Sequence, residues 1–363
     1  MTAPLSPADV LAEIEASGRV RIALDVEGDS FYRYGERLCL VQIAFAGNIR
    51  LLDPCSEDLS PVFARLESRN LVLHGADFDL RLLHARYGFA PASVFDTMLA
   101  ARFMNFPKFG LSDLMERYFG VTLEKKHQRA DWCRRPLSEE LLVYARLDVE
   151  RLEEIGDRLA EELAAAGRLE WHREECAQVL ARTIESAGRD ADPESWRVKG
   201  GGGLSRRELA YLKELAAARD GLARRQDRAL FRIFSAEDLV RLARLAAVDP
   251  DSALRQFPRA LPGGHISAFG EALAAAKALE PAQWPLPPAP GRRPDPALER
   301  RLEKLRQRRD AAAAGLALEP SFLASRAALV RVAAQPPSSK EDLARLLESR
   351  WRAQALAEAL LGG

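Results

Sequence analysis

Displaced by 90 residues, the C-terminal part of this 363-residue chain matches itself. Leu212, Leu215, Arg219, Asp220, Ala223, Ser235, Leu239, Val240, Arg241 and Ala243 fall on Leu302, Leu305, Arg309, Asp310, Ala313, Ser325, Leu329, Val330, Arg331 and Ala333, ten identities in the 33-residue window 211–243 without a gap. The surrounding sequence has helical periodicity and few strand formers. It therefore reads as two copies of one small helical domain. Two breaks frame the copies: 188–203, ending in four glycines, and the proline-rich 281–294. This gives a domain at 1–187, a linker at 188–203, helical domains at 204–280 and 295–363, and a second linker at 281–294.

Residues 1–187 follow a different pattern. Val20–Asp25, Leu38–Phe45 and Ile49–Leu52 are apolar runs; the last two are joined by a Gly47-Asn48 turn, which predicts an antiparallel meander. Leu71–His74 reads as a buried strand. Helices are expected at Pro61–Ser68, Phe78–Tyr87, Asp96–Met104, Leu111–Phe119 and Ser138–Ala166, the last with Ser138 as N-cap. Strands first and helices after indicate a mixed α/β domain.

Charge follows the same division. Residues 1–200 carry 26 Lys and Arg against 34 Asp and Glu, and residues 201–363 carry 27 against 19. An acidic half suits divalent cations and a basic half suits phosphates. No apolar run reaches the ~18 residues that span a membrane, and the first ten residues lack the pattern of a secretory signal. Cys39, Cys55, Cys133 and Cys176 form no CxxC pair and no zinc-like spacing. Reduced thiols in a cytoplasm are expected.

The acids carry the chemistry. Asp25 and Glu27, two apart on a strand, project from one face, where their repulsion is tolerable with a cation between them. An acid at the start of the helix after Leu71–His74 is favoured by the helix dipole; spacing alone does not choose between Asp77 and Asp79. Tyr144 and Asp148, four apart, share a helix face. Carboxylates from a strand, a helix start and a late helix suit two divalent ions, Mg²⁺ or Mn²⁺, about 4 Å apart around a phosphoryl group in displacement.

Leu24-Asp-Val-Glu27, His74-Gly-Ala-Asp-Phe-Asp79 and Tyr144-Ala-Arg-Leu-Asp148 resemble the three exonuclease motifs of the DEDD superfamily, tyrosine branch. Leu123-Glu-Lys125, Asp131-Trp132 through Arg134-Arg-Pro-Leu-Ser138 and Phe95-Asp-Thr97 resemble ribonuclease D signatures. The helical repeat resembles paired helicase and ribonuclease D C-terminal (HRDC) domains, the second degenerate. Val26 and Gly28 depart from the Thr and Phe that commonly flank the motif glutamate.

The resemblance implies a ribonuclease H-like α/β exonuclease domain, a mixed sheet flanked by helices, followed by two small all-α helical-bundle domains. It makes Asp79 the second-motif acid, Asp25, Glu27, Asp79 and Asp148 the ligands of two divalent cations, and Tyr144 the residue that places the attacking water. Lys125, Arg134 and Arg135 become candidate phosphate contacts, and Trp132 a candidate stacking surface for a base, with simple packing as its alternative. The implied activity is 3′-5′ trimming of RNA, tRNA precursors among the substrates, releasing nucleoside 5′-monophosphates. No membrane is involved, and a cytoplasmic monomer is expected. The alternatives are a DNA exonuclease with the same motifs, or a nucleic-acid-binding scaffold without catalysis; the second would lack a motif acid, and none is missing.

Overall fold

In the computed structural model, residues 6–124, 126–187, 194–256, 263–287 and 295–361 are described. They resolve into two compact units. One holds the described residues of 1–28, 38–188 and 293–363, and the other those of 29–37 and 189–292.

The first unit is built on a five-stranded mixed sheet of order β3-β2-β1-β4-β5: β1 Arg21–Gly28, β2 Leu38–Phe45, β3 Asn48–Leu52, β4 Asn70–Leu73 and β5 Ser93–Asp96. β1, β2 and β3 form the expected antiparallel meander, while β4 and β5 run parallel to β1. Ile22, Leu24 and Val26 face a core with Val10 and Ile14 of α1 (Pro7–Ala16), Val62 and Phe63 of α2 (Ser60–Leu66), and Leu80 and Leu83 of α3 (Asp77–Tyr87). Ala23 alternates with them and meets Val149 and Leu152 on the other face.

Along the rest of this domain the chain forms α4 (Thr97–Phe103), α5 (Leu111–Phe119), α6 (Glu139–Glu150), α7 (Leu152–Ala165) and α8 (Leu169–Ala187). Ser138 caps α6 by accepting the Leu141 N–H. The helix expected over 138–166 is two helices, because Arg151 leaves helical geometry at φ −113°, ψ 6°. β5, only four residues long, was not anticipated, nor were α1 and α8.

The 90-residue displacement holds in the structure. α9 (Arg206–Gln226), α10 (Leu230–Ile233) and α11 (Ala236–Val248) are followed in the second unit by α12 (Pro250–Arg255) and α13 (Gly263–Ala278). α14 (Pro296–Leu316), α15 (Pro320–Leu323) and α16 (Arg326–Ala334) begin 90 residues after α9, α10 and α11. Asp227 and Ala317 close the first helix of each copy in the left-handed region. The buried Arg219 donates to Phe234 O, and Arg309 to Ala324 O at the matching positions.

The copies differ in where their cores lie. The first has its own, around Leu212, Leu239 and Phe269. The second, completed by α17 (Lys340–Leu347) and α18 (Arg350–Leu361), shares one core with α4, α5 and α7 of the first unit. Phe103 packs edge-on against Phe322 and Trp351, at 4.8 and 4.9 Å. The Glu174 carboxylate accepts the Arg350 and Trp351 N–H groups at the start of α18. Glu175, buried, accepts from Trp351 Nε1 at 2.9 Å and pairs with Arg352 at 2.8 Å.

Candidate active site

β4 pairs with β1 only from Arg21 to Ala23. Beyond Ala23, β1 runs past the end of its neighbour, and its last turn-facing N–H groups need other partners. The Val26 N–H donates to Asp79 Oδ1 at 3.0 Å. Asp79 reaches that point because the turn after β4 is held by Asp96, the N-cap of α4. Its carboxylate accepts from Gly75 N and Ala76 N as well as from Met98 N and Leu99 N. Gly75 sits at φ +76°, the left-handed region that glycine enters without strain, so the turn favours glycine. Asp77, which spacing left open, is exposed and accepts from Thr183 Oγ1 instead.

Opposite this turn, α6 lies on β1, β2 and β3 and carries Tyr144 and Asp148. Ligand oxygens of Asp25, Glu27 and Asp148 all lie within 4.8 Å of one another. Asp79 stands beside this trio, bonded to the backbone between its two strand members.

The electrostatics follow from crowding acids in a poorly hydrated place. Burial, then the charges of Asp148 and Asp79, pushes Glu27 up to about 9. Burial raises Asp79 to about 8, against the lowering effect of the Val26 N–H. Asp148 rises to about 7 for the same first reason, offset by a hydrogen bond from Tyr144. Asp25 is raised by burial and by Asp79, Asp148 and Glu27. Tyr144 is also raised, by burial and then by the three carboxylates, so in this setting it is a hydrogen-bond donor rather than a base. Oxygen-only donors, mutually repelling and clustered, fit hard divalent cations.

The Tyr144 ring lies 5.9 Å from Trp132 and 5.7 Å from His127. Beside it opens a cleft of about 460 Å³, lined by Val121, Leu123, His127, Val143, Tyr144 and Asp148. A larger cleft of about 600 Å³ lies by Arg21, Phe95 and α8; it has no converging acids, so the smaller one is the better candidate.

The remaining candidates divide. Lys125 lies outside the described residues, and Arg134 is exposed. Trp132 does not offer a stacking surface: it is 1% exposed, in a core with Cys39, Leu40 and Ala145. Arg135 is likewise committed, donating to Asp53 Oδ1 and Oδ2, to Cys39 O and to Trp132 O. The same segment corrects the expectation of four reduced thiols, because Cys39 and Cys133 are joined by a disulfide. Gln42 was not anticipated. It is fully buried, stands in register with Asp25, and neither amide atom has a partner among the described residues. Its one signal is a lone polar residue inside the apolar run 38–45.

A 3′-5′ exonuclease family model matches residues 3–164. The ribonuclease D of Acidiphilium cryptum is 33% identical over 335 residues, which cover 90% of this chain and 80% of that protein. The ribonuclease D of Gluconacetobacter diazotrophicus is 32% identical over 288 residues, covering 76% and 72%. Among solved structures, a protein from Bifidobacterium adolescentis matches with a TM-score of 0.83 at 25% identity, over 99% of this chain and 96% of that one. Escherichia coli RNase D, described as an exoribonuclease involved in structured RNA processing, matches at 0.73 and 27%, over 99% and 97%.

Proposed function

The chain belongs to the ribonuclease D family and is a 3′-5′ exoribonuclease; from that premise we propose that it matures the 3′ ends of tRNA precursors and other structured RNAs in the cytoplasm, acting as a monomer. The observation that carries the site is the convergence of Asp25, Glu27 and Asp148, from opposite ends of the domain, within 4.8 Å.

Asp25, Glu27, Asp79 and Asp148 would hold two divalent cations, Mg²⁺ or Mn²⁺, which when bound polarise the attacking water and stabilise the departing 3′ oxygen. Water attacks the terminal phosphorus in line, the bond to the neighbouring 3′ oxygen breaks, and a nucleoside 5′-monophosphate leaves. Tyr144, hydrogen-bonded to Asp148, orients that water from the mouth of the cleft. The apolar side of the cleft, Val121, Leu123 and Val143, suits the terminal base. Arg134, exposed, is the accessible phosphate contact of the 131–136 segment, and Lys125 remains a second candidate. On the other unit, exposed Phe31 and Phe231, with Arg232 beside them, suit stacking of single-stranded bases.

The test is a tRNA bearing extra 3′ nucleotides, incubated with Mg²⁺ or Mn²⁺, with and without EDTA. Trimming that stops with EDTA and in Asp148→Asn supports the reading; undiminished trimming by Asp148→Asn overturns it.

A further inference from the structure

Away from the carboxylates, three of the four cysteines meet. Cys39 is the extra residue of a bulge in β2, since Leu38 pairs with Gly28 and Leu40 with Glu27. The bulge turns Cys39 to the side where Trp132 and Ala145 pack. Cys55 follows β3, and Cys133 follows Trp132. The three sulfurs lie within 4.8 Å of one another, with Cys55 Sγ 3.8 Å from Cys133 Sγ.

Two chemistries use three adjacent sulfurs. Disulfide exchange needs the attacking sulfur in line with the bond it breaks, which would hold Cys55 and Cys39 about 6 Å apart. The compact triangle, with all three sulfurs within 4.8 Å, does not present that alignment. Ligation of a cation asks for the opposite, a tight cluster. Metal–sulfur bonds of ~2.3 Å in a tetrahedron place neighbouring sulfurs about 3.8 Å apart, which is the Cys55–Cys133 separation.

We propose that Cys39, Cys55 and Cys133 form a zinc site in the reduced protein, with Zn²⁺ and the Cys39–Cys133 disulfide as alternative states of the same sulfurs. A dithiol reductant supplies two electrons and two protons to the disulfide and leaves as its own cyclic disulfide. Zn²⁺ then takes the three thiolates and releases three protons. Water fills the fourth position on the exposed Cys55 side. The Arg135 guanidinium, which feels the charge of Cys55 and donates to Cys39 O, offsets the negative charge of three thiolates. Soft sulfur ligands separate this site from the oxygen site for hard cations. In either state the sulfurs fasten the bulge of β2 to the segment carrying Trp132, whose ring packs beside Tyr144.

The experiment adds Co²⁺ to the full chain, reduced with a phosphine under anaerobic conditions. It reads the near-ultraviolet thiolate-to-cobalt charge-transfer band, to which carboxylate ligands do not contribute. One Co²⁺ per chain is expected to give the band in wild type and in Cys176→Ser, with loss in Cys55→Ser and Cys133→Ser and displacement by equimolar Zn²⁺. Circular dichroism confirms that each variant is folded. The unreduced protein is expected to show no band. No band in the reduced wild type, or an undiminished band in folded Cys55→Ser, overturns the proposal.

Discussion

Glu27→Gln should stabilise the metal-free protein while abolishing most of its activity. In the folded state the Glu27 carboxyl holds its proton up to about pH 9, against an ordinary value of 4.5. The unfolded chain therefore gives up that proton at neutral pH and the folded chain does not. Below pH 4.5 both states are protonated and the penalty vanishes; as pH rises towards 9 it grows. At about 1 kcal/mol or a little more per pH unit, the penalty at pH 7 amounts to a few kcal/mol at most. Three neighbouring acids share the strain, which leaves an expected gain of about 1–3 kcal/mol. Urea unfolding in EDTA at about pH 3.5 and pH 7 reads it directly, with coincident curves at the lower pH and a later midpoint for the variant at the higher. In Mg²⁺ the same variant loses a ligand and should trim RNA at least about 100-fold more slowly, a deficit of several kcal/mol. A variant that is less stable than wild type at pH 7 in EDTA would refute the idea that these acids are crowded against their own electrostatics.

Tyr144→Phe keeps the ring against Trp132 and removes only the hydroxyl, so kcat should fall about 100-fold with Mg²⁺ affinity unchanged by calorimetry. Asp148, Asp79 and Glu27, at about 7, 8 and 9, must release protons to hold a cation. Mg²⁺ binding should therefore weaken as pH falls from 9 to 6 and be accompanied by proton release in buffers of different ionisation heat; pH-independent affinity counts against the ligand set. Trp132→Ala should cost about 3–5 kcal/mol of stability while the folded protein binds RNA as wild type does; a selective loss of RNA affinity would restore the stacking role.

The parts of the fold that could be read in the sequence were set by short-range periodicity. The apolar run Val20–Asp25 read as a strand, the two-residue spacing of Asp25 and Glu27 put both acids on one face, and the repeated leucines read as two helical copies. β5 escaped because four residues beside Pro91 carry too little pattern. The break at Arg151 escaped because neither Gly nor Pro marks it. Asp77 and Asp79 were equal in spacing; the motif resemblance favoured Asp79, and the fold separates the two by burial and by the bond from the Val26 N–H to Asp79. Cys39, Cys55 and Cys133 showed no motif because their meeting depends on a bulge and on the path of the 131–136 segment. Trp132 looked available because nothing local announces that Arg135 and the disulfide hold it inward.

The sharing of one core between α4, α5 and α7 and the second helical copy has a consequence for synthesis. Phe103, Leu114 and Leu159 remain incompletely covered until Phe322, Trp351 and Leu356 have been made. At roughly 5–20 residues per second, the 174 residues between Ala187 and Leu361 take on the order of 10–35 s. The nascent exonuclease domain spends that time with an apolar face open to chaperones and to other ribosome-bound chains, so a stalled message would release a product more prone to aggregate than its length suggests.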